Sequence, residues 1–119
     1  MQHSPAFLAL VESVLPRISE ISVEEAFARL QQGHVLIDIR EDHEWQAAHA
    51  VGAIHMGRGI IERDIETCFP DKAFPLMLYC GGGYRSALSA DSLQQMGYRN
   101  IVSVAGGFRA WKEKGLAVT

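Results

Sequence analysis

Apolar positions along the chain follow two rhythms, and the alternation between them sets out the fold. In residues 5–15, Phe7, Leu8, Leu10, Val11, Val14 and Leu15 recur at helical spacing, with Ser4 as N-cap and Pro5 at the first helical position. Pro16 ends that helix, and residues 18–21 read as a short extended piece. Ser22-Val23-Glu24-Glu25 has the form of a capping box. The helix it opens is expected to bury Ala26, Phe27 and Leu30 and to stop near Gly33. Residues 35–39 are a near-continuous apolar run and predict a strand, followed by a short helix over 41–48. Residues 51–55 read as a turn into a third strand, 57–66 as a mixed segment that is part helix, and 76–80 as a fourth strand. A strong helix is expected over 86–96, with Leu88, Leu93 and Met96 inward and Gly97 as its C-cap. Residues 101–104 form the last strand, and Gly106-Gly107 turns the chain into a final helix over 108–114, closed by Gly115.

Strands that are apolar on both faces and alternate with helices predict an α/β fold, a parallel sheet covered on both sides. Right-handed crossovers in such a sheet place ligands beyond the carboxyl ends of the strands. The chain has 119 residues, enough for one core. Composition is that of an ordinary globular domain: 48% hydrophobic, 21% charged, mean hydropathy +0.02. A net charge of −3 with scattered Lys and Arg argues against nucleic-acid and anionic-membrane partners. No apolar stretch approaches the roughly 20 residues of a spanning helix. Met1-Gln2-His3-Ser4-Pro5 lacks a basic n-region and Glu12 interrupts the next apolar stretch, so no signal peptide is expected and the cytoplasm is the default location. Cys68 and Cys80 have neither redox nor zinc spacing, and free thiols are expected in such a chain. Monomer is the default state.

The richest chemistry lies in Leu76-Met77-Leu78-Tyr79-Cys80-Gly81-Gly82-Gly83-Tyr84-Arg85-Ser86. A buried strand delivers a cysteine, and glycines let the following N–H groups turn inward. The next helix adds free N–H groups and the positive end of its dipole. Such surroundings favour a thiolate or an oxyanion, the condition for a nucleophilic cysteine. Cys80 is therefore the candidate nucleophile, against the alternative of a small buried strand residue. No histidine stands beside it in sequence, so the N–H groups of Gly81, Gly82, Gly83, Tyr84, Arg85 and Ser86 carry the expected stabilisation. The loop fits neither a P-loop nor a dinucleotide fingerprint: no Lys follows the glycines, and position 86 is Ser.

These residues resemble the rhodanese-like sulfurtransferase domain over residues 18–118, and three separated motifs carry the resemblance. The first is Val35-Leu36-Ile37-Asp38-Ile39-Arg40-Glu41 with Glu44, His49, Gly52-Ala53 and Ile54. The second runs from Tyr79-Cys80 to Arg85-Ser86, and the third is Val104-Ala105-Gly106-Gly107-Phe108-Arg109-Ala110-Trp111 with Gly115-Leu116. Ala48-His49-Ala50-Val51 stands where Gly-His-Ile-Pro is common in that family, and Ala117 where proline is common; only local loop adjustments are expected from these. The resemblance implies a central parallel sheet of about five strands flanked by helices on both faces. It divides the chain into an N-terminal helical extension, 1–17, and a rhodanese-like domain, 18–119. It also implies that Cys80 accepts a sulfane sulfur as a persulfide and passes it to a thiol, to cyanide or to a protein acceptor, with thiosulfate or another persulfide as the donor. No cofactor is implied.

Arg85 lies five positions after Cys80. Protein tyrosine phosphatases resemble this loop but hold one more residue, so the ring here is tighter and suits a sulfur better than a phosphate or arsenate. Arg85 either contacts the thiolate or pairs with a carboxylate at the helix start. Arg58, between Gly57 and Gly59 after the third strand, is a candidate to bind an anionic donor. Asp38, Arg40, Glu44 and His49 are read as bracing for the loops around the pocket. Tyr84 and Trp45 are placed at the pocket entrance, while Phe27, Phe108 and Trp111 are assigned to the core. Cys68 is expected to be buried under the turn at Phe69-Pro70. The five histidines show no metal spacing. Two further functions compete with the transferase: a sulfur carrier or interaction module with little turnover on small donors, and a phosphatase or arsenate reductase.

Overall fold

The computed structural model describes residues 3–119; Met1 and Gln2, the start of the expected N-terminal extension, lie outside them. Helix α1 (Pro5–Val14) and a 3₁₀ turn (Leu15–Arg17) lead into β1 (Glu20–Ile21), α2 (Val23–Gln31) and β2 (Val35–Asp38). Next come α3 (Asp42–Ala47), β3 (Ile54–His55), α4 (Arg58–Cys68) and β4 (Leu76–Tyr79). The chain closes with α5 (Tyr84–Gln95), β5 (Ile101–Val104) and α6 (Gly107–Glu113). The five strands form one sheet in the order β1-β5-β4-β2-β3, and every named pair is parallel. β4 therefore sits in the middle, and its carboxyl end opens where the chain leaves for α5.

The two-residue period of a strand sorts the apolar residues onto the two faces. Ile37, Ile39, Leu76, Leu78, Cys80 and Ile101 meet Ile61 and Ile65 of α4 and Ala90 and Leu93 of α5. Leu36, Met77, Tyr79, Val102 and Val104 face the other way, onto Val23 and Ala26 of α2 and Phe108 and Trp111 of α6. α1 packs on α5. Its Val11 and Val14 pack on Ala87 and Leu88 of α5, with Phe7 and Ile18 against them. Arg17 then fastens the segment, pairing with Asp91 at 3.0 and 3.1 Å.

Several local expectations change. Residues 58–68 are one continuous helix rather than a mixed segment, since Ile61 and Ile65 lie one turn apart on a buried stripe. The third strand is reduced to Ile54–His55, and β1 to Glu20–Ile21. The helix expected from Ser86 starts at Tyr84, because Gly83 adopts φ +103° and turns the chain into it. At α2, Ser22 Oγ accepts the Glu25 N–H as a cap should. Phe27 is 38% exposed, not core: it stands on the rim of α2 and meets Trp111 edge-on, 6.1 Å between ring centroids. Cys68 is exposed to solvent, not buried under the Phe69-Pro70 turn: it follows Ile61 by seven residues and so keeps the side of the buried stripe, but it is the last residue of α4, past the buried Ile61 and Ile65. The His49 segment pairs with the C-terminus: the His49 and Thr119 amides exchange 2.9 Å bonds, and the Val51 N–H reaches the Ala117 carbonyl.

Candidate active site

Cys80 follows β4, whose four residues are all buried between β2 and β5, and the cysteine itself is 1% exposed. Gly83 then bends the chain so that the first turn of α5 faces back onto the sulfur. The first N–H groups of a helix have no partner within it. Here two such donors find Sγ: the Gly83 N–H at 3.1 Å and the Ser86 N–H at 3.4 Å. Ser86 Oγ lies 3.5 Å from Sγ and 2.8 Å from Ser103 Oγ of β5. The sulfur thus rests on backbone dipoles, with a pair of buried hydroxyls behind it.

The carbonyl side of the loop is held from a second direction. The Phe108 N–H donates to the Cys80 carbonyl at 2.7 Å and the Arg109 N–H to the Gly81 carbonyl at 3.1 Å. These are the opening amides of α6, and Gly107 (φ +55°) makes their approach possible. A Cβ at that position would stand 2.3 Å from the Cys80 carbonyl oxygen.

Cys80 lies on the floor of an open cavity of about 730 Å³, with Gly81 and Gly82 beside it. Arg58, Arg85 and Arg109 give the cavity its basic side, joined by His43 and Glu44. Arg85 makes two bonds to the Glu44 carboxylate, at 2.8 and 3.1 Å. That contact, opposed in part by burial, holds the Glu44 carboxyl down at about 2. Of the two roles open to Arg85, the carboxylate pair is the one formed, although its guanidinium still lines the cavity. Glu44 is held in turn by the start of α3, where the Glu41 N–H donates to it at 3.1 Å.

The other expected site residues divide. Tyr84 stands at the cavity wall, whereas Trp45 does not: it stacks on His49 at 3.4 Å and on His55 at 5.0 Å, away from the entrance. His49 Nδ1 reaches the Trp45 carbonyl at 2.9 Å. Asp38 and Arg40 lie under the neighbouring loops, in a buried pair with contacts of 2.8–3.1 Å. Arg40 also donates to the Ala48 carbonyl at 2.7 Å and lies 4.2 Å from the centroid of the Phe108 ring. Arg58, at the first position of α4, is exposed and borders the cavity.

The rhodanese-like domain model matches residues 22–114, most of the chain and all of the Cys80 loop. The chain belongs to the rhodanese-like family. It is 33% identical over 92 residues to the thiosulfate sulfurtransferase GlpE of Haemophilus influenzae, covering 77% of this chain and 86% of that protein. Among solved structures it resembles a Rhodopseudomonas palustris protein of unknown function, described as a possible tyrosine phosphatase. The two share 26% identity with a TM-score of 0.88, over 100% of this chain and 98% of the other. The polysulfide-sulfur transferase homodimer of Wolinella succinogenes is also 26% identical, with a TM-score of 0.79 over 96% of this chain and 87% of its own.

Five cavity residues, His3, Ser4, Phe7, His43 and Arg109, were not anticipated from sequence as part of the site. Arg109 belongs to the third rhodanese-like motif, and that placement was its one available signal. His43 lies in the α3 turn next to Glu44, with nothing to mark it. His3 and Ser4 just before α1 and Phe7 in its first turn lie outside the matched span, and no local pattern ties them to the Cys80 loop. Ser103, behind the sulfur, reads in sequence as a polar interruption of a strand. Among the described residues no group of three or more His, Cys, Asp or Glu is arranged to hold a metal ion, and no helix is long and apolar enough to cross a membrane.

Proposed function

We propose that this rhodanese-like chain is a sulfurtransferase that carries sulfane sulfur on Cys80. The reading rests chiefly on the Cys80 sulfur, set at the floor of a basic cavity and receiving the Gly83 and Ser86 N–H groups. With thiosulfate as donor, the Cys80 thiolate attacks the outer sulfur. A new S–S bond forms, the original one breaks, and sulfite leaves with the electron pair. The persulfide anion remains among the loop N–H groups, where backbone dipoles favour its charge. An acceptor thiolate or cyanide then attacks the terminal sulfur, departs with it as a persulfide or thiocyanate, and returns the Cys80 thiolate. Arg58 and Arg109 draw the anionic donor in, and Arg85, held by Glu44, keeps a fixed cation beside the loop. Asp38, Arg40 and His49 support the surrounding turns without touching substrate.

Intact mass after incubation with thiosulfate tests the reading. One added sulfur is expected, absent in Cys80→Ser and removed by cyanide with thiocyanate appearing. Loading without turnover to cyanide would make the chain a sulfur carrier. The likeness to the possible phosphatase of R. palustris motivates one more assay. Here Arg85 is already committed to Glu44 and the loop is one residue shorter than a phosphatase ring, so no hydrolysis of an aryl phosphate is expected.

A further inference from the structure

The cavity above Cys80 has two unlike sides. One is cationic: Arg58 and Arg109 are both exposed there, and neither forms an ion pair with a described residue. The other is aromatic and is built by His3 just before α1, Phe7 of α1 and Tyr84 of α5. His3 meets Tyr84 edge-on at 4.9 Å and Phe7 at 5.2 Å, and the Phe7 and Tyr84 rings stand 6.3 Å apart. Tyr84 remains 39% exposed, so this wall presents unfilled apolar area to whatever enters. α1 does not rest there loosely, since Val11 and Val14 on Ala87 and Leu88, with the Arg17–Asp91 pair, hold it on α5. The volume also exceeds what a small inorganic donor needs. Thiosulfate has five heavy atoms and fills on the order of 100 Å³, scaling from about 30 Å³ for a water. The cavity offers about 730 Å³, within the range of pockets that enclose organic ligands.

We propose that α1 makes this site selective for sulfur donors with an anionic reacting end and an apolar, preferably aromatic, body: organic persulfides or thiosulfonates rather than thiosulfate. This rests on the sulfurtransferase reading. The reacting end sits over Cys80 toward Arg58 and Arg109, and the body lies against His3, Phe7 and Tyr84. With a thiosulfonate, the Cys80 thiolate takes the terminal sulfur, the sulfur–sulfur bond breaks, and the sulfinate leaves with the electron pair. His3 and Phe7 then act as specificity residues without part in the chemistry.

The test compares benzenethiosulfonate with methanethiosulfonate, which share the reacting group and differ in the body. The quantity read is the aryl-to-methyl ratio of kcat/KM, taken relative to the wild-type ratio so that intrinsic reactivity cancels. Removing one ring is expected to lower that ratio about three- to tenfold, the worth of an aromatic contact. His3→Ala and Phe7→Leu are the variants; the leucine keeps apolar volume against α5. Leu10→Ala, on the outer face of α1, should leave the ratio unchanged. A ratio within twofold of wild type in both His3→Ala and Phe7→Leu overturns the proposal, even if a variant has loosened α1, because a detached wall should lose selectivity as well. Intact mass separates the two levels of the argument. If neither donor adds sulfur to Cys80, the sulfurtransferase reading falls; if both load it and the ratio does not move, only the role of α1 falls.

Discussion

Two arginine–carboxylate pairs lie near the carboxyl end of the sheet, and they differ in one respect. Asp38–Arg40 is buried, with side chains 0% and 6% exposed, an aromatic ring over the guanidinium and the Ala48 carbonyl accepting from it. Glu44–Arg85 has comparable bond lengths but is 26% and 31% exposed and borders the cavity. Burial separates their roles. A buried pair spends its charge on its own partner and on backbone, so it chiefly fixes backbone, and losing one member strands the other's charge in a low dielectric. A half-open pair is screened by water and contributes little to stability, yet its cation still acts across the pocket. The two pairs thus differ in placement: one fixes buried backbone, and the other keeps a cation at the cavity.

The sharpest way to break this contrast is Asp38→Asn, which should lower unfolding free energy by about 3–5 kcal/mol in urea titrations. The apolar double replacement Asp38→Leu with Arg40→Met should recover most of that loss; a double variant as unstable as the single would mean the pair is worth more than its isolation implies. Next in size is Gly107→Ala, where the added methyl group meets the Cys80 carbonyl. A loss of about 1–3 kcal/mol is expected, with a fall in transfer rate. Glu44→Gln should be milder, about 0–1 kcal/mol at neutral pH. Its pH dependence follows from the depressed carboxyl. The pair's contribution is complete above pH 4.5, the ordinary Glu value, and disappears as pH falls through about 2, where Glu44 protonates in the fold. Melting curves of wild type and Glu44→Gln should therefore converge across that window, and a gap persisting at pH 2 would contradict the assignment. The smallest effect is expected for Arg58→Glu: KM for thiosulfate should rise about two- to fivefold with stability unchanged, and an unaltered KM would remove Arg58 from donor binding.

The sheet was legible because its physics is local. Residues 35–39, 76–80 and 101–104 are apolar on both faces, and that pattern admits a covered parallel strand and little else. The Cys80 loop was legible for a similar reason, since glycines after a strand and before a helix can only curl inward. What stayed hidden depends on which loops meet. Nothing near Arg85 points to Glu44, 41 residues earlier. Nothing in the apolar stripe of α1 says that its first turn reaches the cavity. Phe27 and Cys68 misled because residue type does not report how far the cover of a helix extends: Phe27 stands at the rim of α2, and Cys68 shares the face of Ile61 but sits at the exposed last residue of α4.

The bonds from Phe108 and Arg109 to the Cys80 loop bear on the order in which the chain matures. During synthesis the sheet can begin to assemble from its early strands, but the loop around Cys80 lacks these two bonds until residue 109 has emerged and α6 can dock. Until then the Cys80 and Gly81 carbonyls have no such partners, and the Cys80 thiol is present before the frame around it is complete. The last tenth of the chain, remote from the cysteine in sequence, acts as the latch that completes the site.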